Sequence, residues 1–201
     1  MPKIGIDLDG TVTDYLKTAI PHVAEMYGLE PDFSKPVYGI EGVFGWTKET
    51  RPKDLKERLY LDKRIFRHLH RLEEDNHQLT FRLVSEIPAL KIYFVTARDN
   101  HPIMVEDTLH WVNNNTHYFD DVFHVTQVPK ADFCISAGIS VLIEDEINQI
   151  RAAVAKGVHV ICMSQPWNRD VEETIPDDAA GRIIRVDGWR EAVDAAKEFL
   201  S

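Results

Sequence analysis

The stretch Asp7-Leu8-Asp9-Gly10-Thr11-Val12-Thr13-Asp14 decides how the rest of the chain is interpreted. It follows Ile4-Gly5-Ile6, a short apolar segment that predicts a buried strand. In an extended chain residues i and i+2 point to the same side, so Asp7 and Asp9 can face one site. Phosphoryl-transfer chemistry needs such a pair, because one carboxylate attacks phosphorus or holds a cation while another moves a proton. A strand that ends in a solvated acidic turn is the alternative.

The composition is that of a globular protein with a substantial core. The 201 residues are 44% hydrophobic and 28% charged, which suits one domain, or one domain with an insertion. The net charge of -10 argues against a nucleic-acid polymer or an anionic membrane surface as partner. Cys134 and Cys162 lie in apolar stretches and indicate buried thiols of a reducing compartment. Because neither a leading apolar segment nor a bilayer-length apolar run is present, we expect a cytoplasmic protein.

Beyond the first strand, strand and helix patterns alternate along much of the chain. Apolar strand-like segments lie near residues 90–95, 121–125, 139–143, 158–163 and 183–186, with helical patterns between them and over 189–200. This alternation predicts an α/β fold, a Rossmann-like parallel sheet with helices on both faces.

One long segment interrupts the alternation. Helices are predicted near residues 14–27, 52–61, 62–74 and 76–87, with an irregular, aromatic-rich segment over 29–50. We therefore expect an α/β core made of residues 1–14 and 89–201, and a small, mostly helical cap of residues 15–88 inserted after strand one.

Polar residues follow three of the predicted strands. Besides Asp7 and Asp9, these are Thr96-Ala97-Arg98 and Glu144-Asp145-Glu146, and Lys130 stands at a loop-to-helix junction. Ligands of open parallel sheets bind outside the carboxyl ends of the strands. Taken singly, each group has another explanation: a strand threonine, a solvated lysine, an acidic helix N-terminus. Their order and placement together predict a single site.

These four segments, in this order, resemble the haloacid dehalogenase superfamily of phosphohydrolases over residues 1–15 and about 88–163. The resemblance implies that Asp7 is the nucleophile, which forms an aspartyl-phosphate, and also a metal ligand. Asp9 would be the general acid and base, with its backbone carbonyl on the metal. Asp145 would ligate the metal directly. The implied cofactor is Mg²⁺, because a divalent cation reverses the repulsion between a phosphate anion and an attacking carboxylate.

The same resemblance assigns the remaining groups. Thr96 would hold phosphate oxygens, and Lys130 would balance the charge on phosphate and on Asp7. Glu144 would lie beside the metal, ligating it through water or orienting Lys130. Asp9 narrows the reaction to phosphomonoester hydrolysis or phosphotransfer, since dehalogenating and phosphonate-cleaving members lack an acid at that position.

Within the superfamily, the chain is most similar to the 5′(3′)-deoxyribonucleotidase family. The similarity rests on residues 7–11, Phe94-Val95-Thr96-Ala97-Arg98, Leu142-Ile143-Glu144-Asp145 and Gln165-Pro166-Trp167-Asn168-Arg169. It implies a 5′-nucleotidase that acts on (deoxy)ribonucleoside monophosphates. Glu144 stands where an aspartate would be commoner.

The substrate site is expected to draw on both the core and the cap. Thr96, Ala97, Arg98 and Lys130 would bind the phosphate end, and surface salt bridging is the alternative for Arg98. Four cap aromatics that can stack a base cluster in the irregular segment: Phe33, Tyr38, Phe44 and Trp46. Of these, Phe44 and Trp46 are the predicted substrate contacts, and a hydrophobic core of the cap is the alternative for each ring.

Other functions remain open at this point. A phosphatase for another small phosphate, such as a sugar phosphate or phosphoglycolate, is one, and a non-catalytic binding module is another. The partner is expected to be a small phosphorylated substrate, and the oligomeric state is open, a homodimer included.

Overall fold

The computed structural model describes residues 1–34 and 38–201. In chain order the elements are β1 (Lys3–Ile6), β2 (Thr13–Asp14), α1 (Tyr15–Tyr27), α2 (Gly39–Val43), a π-helical segment (Lys56–Asp62), a 3₁₀ turn (Ile65–Arg67), β3 (His70–Arg71), α3 (Gln78–Glu86), β4 (Lys91–Thr96), α4 (Pro102–Asn115), β5 (Asp121–His124), α5 (Lys130–Ala137), β6 (Val141–Glu144), α6 (Ile147–Ala155), β7 (His159–Met163), 3₁₀ turns (Glu172–Thr174, Asp177–Arg182), β8 (Ile183–Val186) and α7 (Trp189–Leu200).

A six-stranded parallel sheet forms the centre of the molecule, in the order β5-β4-β1-β6-β7-β8. The chain builds from β1 toward one edge through β4 and β5, then returns to the other side of β1 at β6. The carboxyl ends of β1, β4 and β6 therefore meet at the point where the strand order reverses. In open α/β sheets this crevice is where ligands bind.

The sheet is covered on both faces because successive strand residues point to opposite sides. Ile6 and Phe94 belong to one buried cluster with residues of α3, α4 and α7. Leu142 and Val160 belong to a second cluster with residues of α5 and α6. The central strands are apolar on both faces, as parallel strands buried between helices must be. The predicted α/β fold with helices on both faces is confirmed.

Part of the inserted segment has a hydrophobic core of its own. It is built from Ala19, Ile20, Val23, Ile40, Val43, Leu55, Leu59 and Ile65. By contrast, Leu79 and Leu83 of α3 pack in the main core beside α7. We therefore propose that the cap ends before α3, short of the predicted boundary at residue 88.

Residues 62–74 do not form the predicted helix. The 3₁₀ turn is followed by β3, which pairs antiparallel with β2. Arg64 explains the break, since its φ of 52° is left-handed and cannot continue a right-handed helix. Its guanidinium donates to both carboxylate oxygens of Asp107 on α4, at 2.6 and 3.1 Å. A long-range ion pair thus overrides the local helical pattern.

Two expectations from the composition concern the cysteines and membranes. Cys134 and Cys162 are both buried and free. Across residues 1–34 and 38–201, no helix combines the length and the apolar character that a bilayer crossing requires.

Candidate active site

Residues predicted to share a site come together at the carboxyl end of the sheet. Asp7 follows β1, Glu144 ends β6 and Lys130 begins α5. Lys130 Nζ donates to Asp7 Oδ1 at 2.6 Å and to Glu144 Oε2 at 2.6 Å. All three side chains are buried, so one ammonium links two carboxylates away from water.

Lys130 stays charged in this environment. Burial by itself disfavours the ammonium, but the carboxylates of Asp7 and Glu144 outweigh it and raise the pKa of Lys130 above its usual range. The other oxygen of Glu144, Oε1, accepts the backbone N–H groups of Asp145 and Glu146, each at 3.1 Å. Glu144 is thereby fixed with its free end on Lys130.

Asp145 is held from three sides. Its Oδ1 accepts from Thr11 Oγ1 at 3.2 Å, and its Oδ2 accepts from Trp167 Nε1 at 3.1 Å. Its backbone carbonyl accepts from Asn168 Nδ2 at 2.8 Å. Gly10 lies so close that a Cβ there would come within 2.2 Å of Asp145 Oδ2. A side chain at position 10 would therefore displace this carboxylate.

The three buried acids form a cluster. Single carboxylate oxygens of Asp7, Glu144 and Asp145 lie within 4.8 Å of one another. Burial, opposed by Lys130 and reinforced by Glu144, raises the pKa of Asp7 to about 7. Burial and the charges of Glu144 and Asp7 raise the pKa of Asp145 as well. A divalent cation relieves such repulsion, and carboxylate oxygens are the ligands of Mg²⁺, so these residues fit a hard divalent ion.

Asp9 is engaged by arginine rather than by the acid cluster. Arg98 Nε donates to Asp9 Oδ2 at 2.8 Å and Arg98 Nη2 donates to Asp9 Oδ1 at 2.6 Å. Thr13 Oγ1 adds a bond to Asp9 Oδ1 at 2.9 Å. The Arg98 side chain is only 2% exposed. Surface salt bridging, the alternative considered for Arg98, does not describe this pair, because the Arg98 side chain is buried even though Asp9 is partly exposed.

Thr96 and Ala97 lie where the sequence places them, at the end of β4. Thr96 is buried, and its Oγ1 accepts the backbone N–H of Arg98 at 3.2 Å. Both residues line the same cavity as Asp7, Asp9 and Lys130.

This cavity has a volume of about 900 Å³ and aromatic walls. The described rings that line it are Tyr15, Tyr38, Tyr60, Phe66 and Trp167. Tyr38 meets Trp167 edge to face at 5.8 Å between ring centroids, which joins the loop before α2 to the loop after β7. Of these rings, only Tyr38 was expected from the sequence to be among the cap aromatics that can stack a base. Trp167 could have been predicted from the sequence as a site residue, since it lies in the 165–169 segment that carries the family similarity.

Phe44 and Trp46 lie elsewhere. They stack on each other at 5.2 Å between ring centroids and pack against the hydrophobic core of the cap. Neither ring is among the described residues that line the cavity. The cavity therefore gives no support to the prediction that they stack a base, and packing against the cap core, the alternative, accounts for both partly buried rings.

Known proteins resemble the chain along nearly its whole length. A family profile described as "5' nucleotidase, deoxy (Pyrimidine), cytosolic type C protein" matches residues 1–198. A Bacillus subtilis protein named "Putative nucleotidase YqfW" is 26% identical, covering 96% of this chain and 92% of its own. A Chlorobaculum tepidum protein named "Putative 5'(3')-deoxyribonucleotidase" is 21% identical, covering 98% and 91%.

Solved structures show the same fold at low sequence identity. A haloacid dehalogenase-like family hydrolase from Streptococcus pneumoniae matches with a TM-score of 0.64 at 17% identity, over 97% of this chain and 98% of that chain. A Thermotoga maritima protein described as "putative beta-phosphoglucomutase" matches with a TM-score of 0.60 at 17% identity, over 98% of this chain and 99% of that chain. With the profile covering residues 1–198, the chain belongs to the cytosolic type C 5′-nucleotidase family, is a phosphoric monoester hydrolase and has the fold of haloacid dehalogenase-like hydrolases.

Proposed function

We propose that the protein is a Mg²⁺-dependent 5′-nucleotidase that hydrolyses (deoxy)ribonucleoside monophosphates through an aspartyl-phosphate on Asp7. The observation that carries the proposal is the buried cluster of Asp7, Lys130, Glu144 and Asp145 beneath an aromatic-walled cavity.

Asp7 is suited to attack phosphorus. Its Oδ1 is hydrogen-bonded to Lys130, and across the described residues no donor occupies Oδ2. Lys130 fixes the carboxylate and supplies positive charge beside the phosphoryl group, as the transfer of an anion requires. Thr96, at the end of the neighbouring strand, offers its hydroxyl to a phosphate oxygen.

Asp9 is suited to move the proton. It stands two residues after Asp7 and lines the cavity, and its side chain is 24% exposed. In the first step Asp9 gives a proton to the leaving nucleoside oxygen. In the second step it takes a proton from the water that hydrolyses the aspartyl-phosphate.

The metal would be held by the carboxylates of Asp7 and Asp145 and by the backbone carbonyl of Asp9. When bound, Mg²⁺ offsets the negative charge of both the phosphate and the attacking carboxylate. Glu144 has its oxygens committed to Lys130 and to backbone N–H groups, which favours an orienting role over direct ligation.

The substrate assignment draws on the family profile and on the cavity. A volume of about 900 Å³ accommodates a nucleoside monophosphate. The rings in its wall offer faces on which a base can stack.

The test is a substrate panel with and without Mg²⁺. We expect nucleoside monophosphates to exceed sugar phosphates in kcat/KM, and EDTA to abolish turnover. Asp7→Asn should abolish turnover without unfolding the protein, and label from [³²P]-nucleotide should be trapped covalently on the wild type only. Asp132→Asn is the control, since Asp132 pairs with Lys156 on the surface. Flat, low activity on every nucleotide would overturn the substrate assignment, and surviving activity in Asp7→Asn would overturn the mechanism.

A further inference from the structure

The guanidinium of Arg98 is enclosed by three different partners. Its Nε and Nη2 atoms hold the two oxygens of Asp9, and its Nη1 donates to Thr108 Oγ1 at 3.1 Å. Its Cζ lies 4.4 Å from the centroid of the Phe66 ring, a cation–π distance. A planar fork held in this way has one orientation, and that orientation is set by the protein rather than by a ligand.

These contacts disagree with a phosphate-binding role for Arg98. The edge of the fork that best matches a phosphate already grips Asp9, and the side chain is 2% exposed. Asp9, by contrast, depends on the fork. Without Arg98, Thr13 alone would donate to its carboxylate among the described residues. When Arg98 is present, the Oδ2 atom of Asp9 accepts one hydrogen bond, from Arg98 Nε. This oxygen keeps a lone pair for the proton that Asp9 exchanges.

The platform under Arg98 comes from the inserted segment. Phe66 lies in the 3₁₀ turn, and this turn is tied to α4 through Arg64 and Arg67, both of which donate to the buried carboxylate of Asp107. Thr108, the next residue of α4, holds the other side of the guanidinium. The turn and α4 therefore form a single seat for Arg98.

We propose that Arg98 is the positioning residue of Asp9, seated on Phe66, and that it aims the Asp9 carboxylate at the leaving-group oxygen. The inference rests on the proposed function, in which Asp9 exchanges the proton. It replaces the phosphate-binding role that the sequence predicted for Arg98.

The test compares two leaving groups. A nucleoside alkoxide cannot depart without a proton, whereas p-nitrophenolate can. Misorientation of the Asp9 carboxylate should therefore slow hydrolysis of the nucleoside monophosphate more than hydrolysis of p-nitrophenyl phosphate. We expect Arg98→Lys to lower kcat/KM at least about tenfold more for a nucleoside monophosphate than for p-nitrophenyl phosphate. The quantity kcat/KM is the right measure because it covers only the steps up to departure of the leaving group, whereas the later hydrolysis of the aspartyl-phosphate is common to both substrates. Phe66→Leu should shift the same ratio in the same direction by less. Arg82→Lys, at a surface pair with Glu86 outside the cavity wall, is the control and should leave the ratio unchanged.

A double-mutant cycle distinguishes an effect of Arg98 on the orientation of Asp9 from a non-specific loss of activity. If Arg98 acts through Asp9, adding Arg98→Lys to Asp9→Asn should not change the leaving-group ratio further. An equal fall in kcat/KM on both substrates would overturn the inference and leave the proposed function standing. A wild type that hydrolyses neither substrate would overturn both. If Arg98→Lys unfolds, as thermal denaturation would show, Phe66→Leu decides: an unchanged ratio rejects the inference.

Discussion

Replacing Gly10 with alanine tests how closely the first loop packs against the proposed metal site. Gly10 has a φ of 87°, and a Cβ there would lie 2.2 Å from Asp145 Oδ2. Gly157 offers a matched control, because its φ is 84° and a Cβ there would meet nothing within 4 Å. Gly10→Ala and Gly157→Ala therefore impose similar backbone strain, but only the first pushes on a carboxylate.

The two variants should differ in stability by a calculable amount. An alanine in the left-handed region costs about 1–2 kcal/mol of unfolding free energy, and this applies to both. In Gly10→Ala the Asp145 oxygen must also retreat by about 1 Å, since a packed interior leaves no slack. That retreat breaks the hydrogen bonds from Thr11 and Trp167, worth about 1 kcal/mol each. We expect a loss of about 3–4 kcal/mol for Gly10→Ala and about 1–2 kcal/mol for Gly157→Ala.

Three measurements check this. Thermal unfolding gives the stability difference, at about 2–4 °C per kcal/mol for a chain of this size. Calorimetric titration gives the affinity for Mg²⁺, and kcat on a nucleoside monophosphate should fall about 100-fold in Gly10→Ala, because catalytic groups displaced by about 1 Å lose that much. Gly157→Ala should bind the ion and turn over like the wild type. If Gly10→Ala matched Gly157→Ala in all three, the packing of Gly10 on Asp145 would have no functional weight.

Two further predictions concern the buried charges. Lys130→Met keeps the apolar stem of the side chain but leaves Asp7 and Glu144 buried without their cation. Urea unfolding at pH 7.5 should therefore show a loss of about 3–5 kcal/mol in the free energy of unfolding. A loss below about 1 kcal/mol would refute the pairing. In metal-free protein, the pKa of Asp7 is raised from 3.8 to about 7, so the native state binds more protons than the unfolded state and Asp7 makes stability fall as pH rises through this range. Because Mg²⁺ must displace protons on Asp7 and Asp145, the gain in melting temperature on adding Mg²⁺ should grow from pH 5.5 to 8 in the wild type and grow less in Asp7→Asn; a gain independent of pH would contradict this.

The sheet could be predicted because its strands carry their own signal. Segments such as Ile92–Val95 and Val141–Ile143 are continuous apolar runs, and burial between two helical layers requires that pattern. The helix predicted over residues 62–74 was wrong because contacts distant in the sequence, and not the local pattern, decide the structure there. The apolar spacing of these residues is helical, but the bond from Arg64 to Asp107 and the pairing of β3 with β2 join residues distant in the chain. No local pattern reports such contacts.

The residues of the candidate site also differ in whether a local sequence pattern could predict them. Asp7, Thr96, Lys130 and Asp145 were found because each stands at the end of a predictable strand or the start of a predictable helix, and the topology brings such ends together. The ring of Phe66 was not predicted as a site residue, since its place in a helix-like apolar spacing predicts a core side chain and not a cavity wall. The pairing of Arg98 with Asp9 could not be predicted either, because the two residues lie 89 positions apart in the sequence.

The charges around the cavity give a physical reason for the divalent cation in the proposed function. Seven carboxylates line the wall: Asp7, Asp9, Asp14, Glu41, Asp99, Glu144 and Glu146. The lining cations are Arg51, Lys56, Arg98 and Lys130, and each already pairs with one of those acids. On a chain of net charge -10, a phosphate entering this cavity therefore meets a negative field with no unpaired cation in the described part of its wall. The Lys130 ammonium cannot reverse that field, because its charge is divided between two carboxylates. A divalent ion between Asp7 and Asp145 would lower the charge of the acid cluster and of the substrate together, which no rearrangement of the four lining cations could do without leaving a carboxylate unpaired.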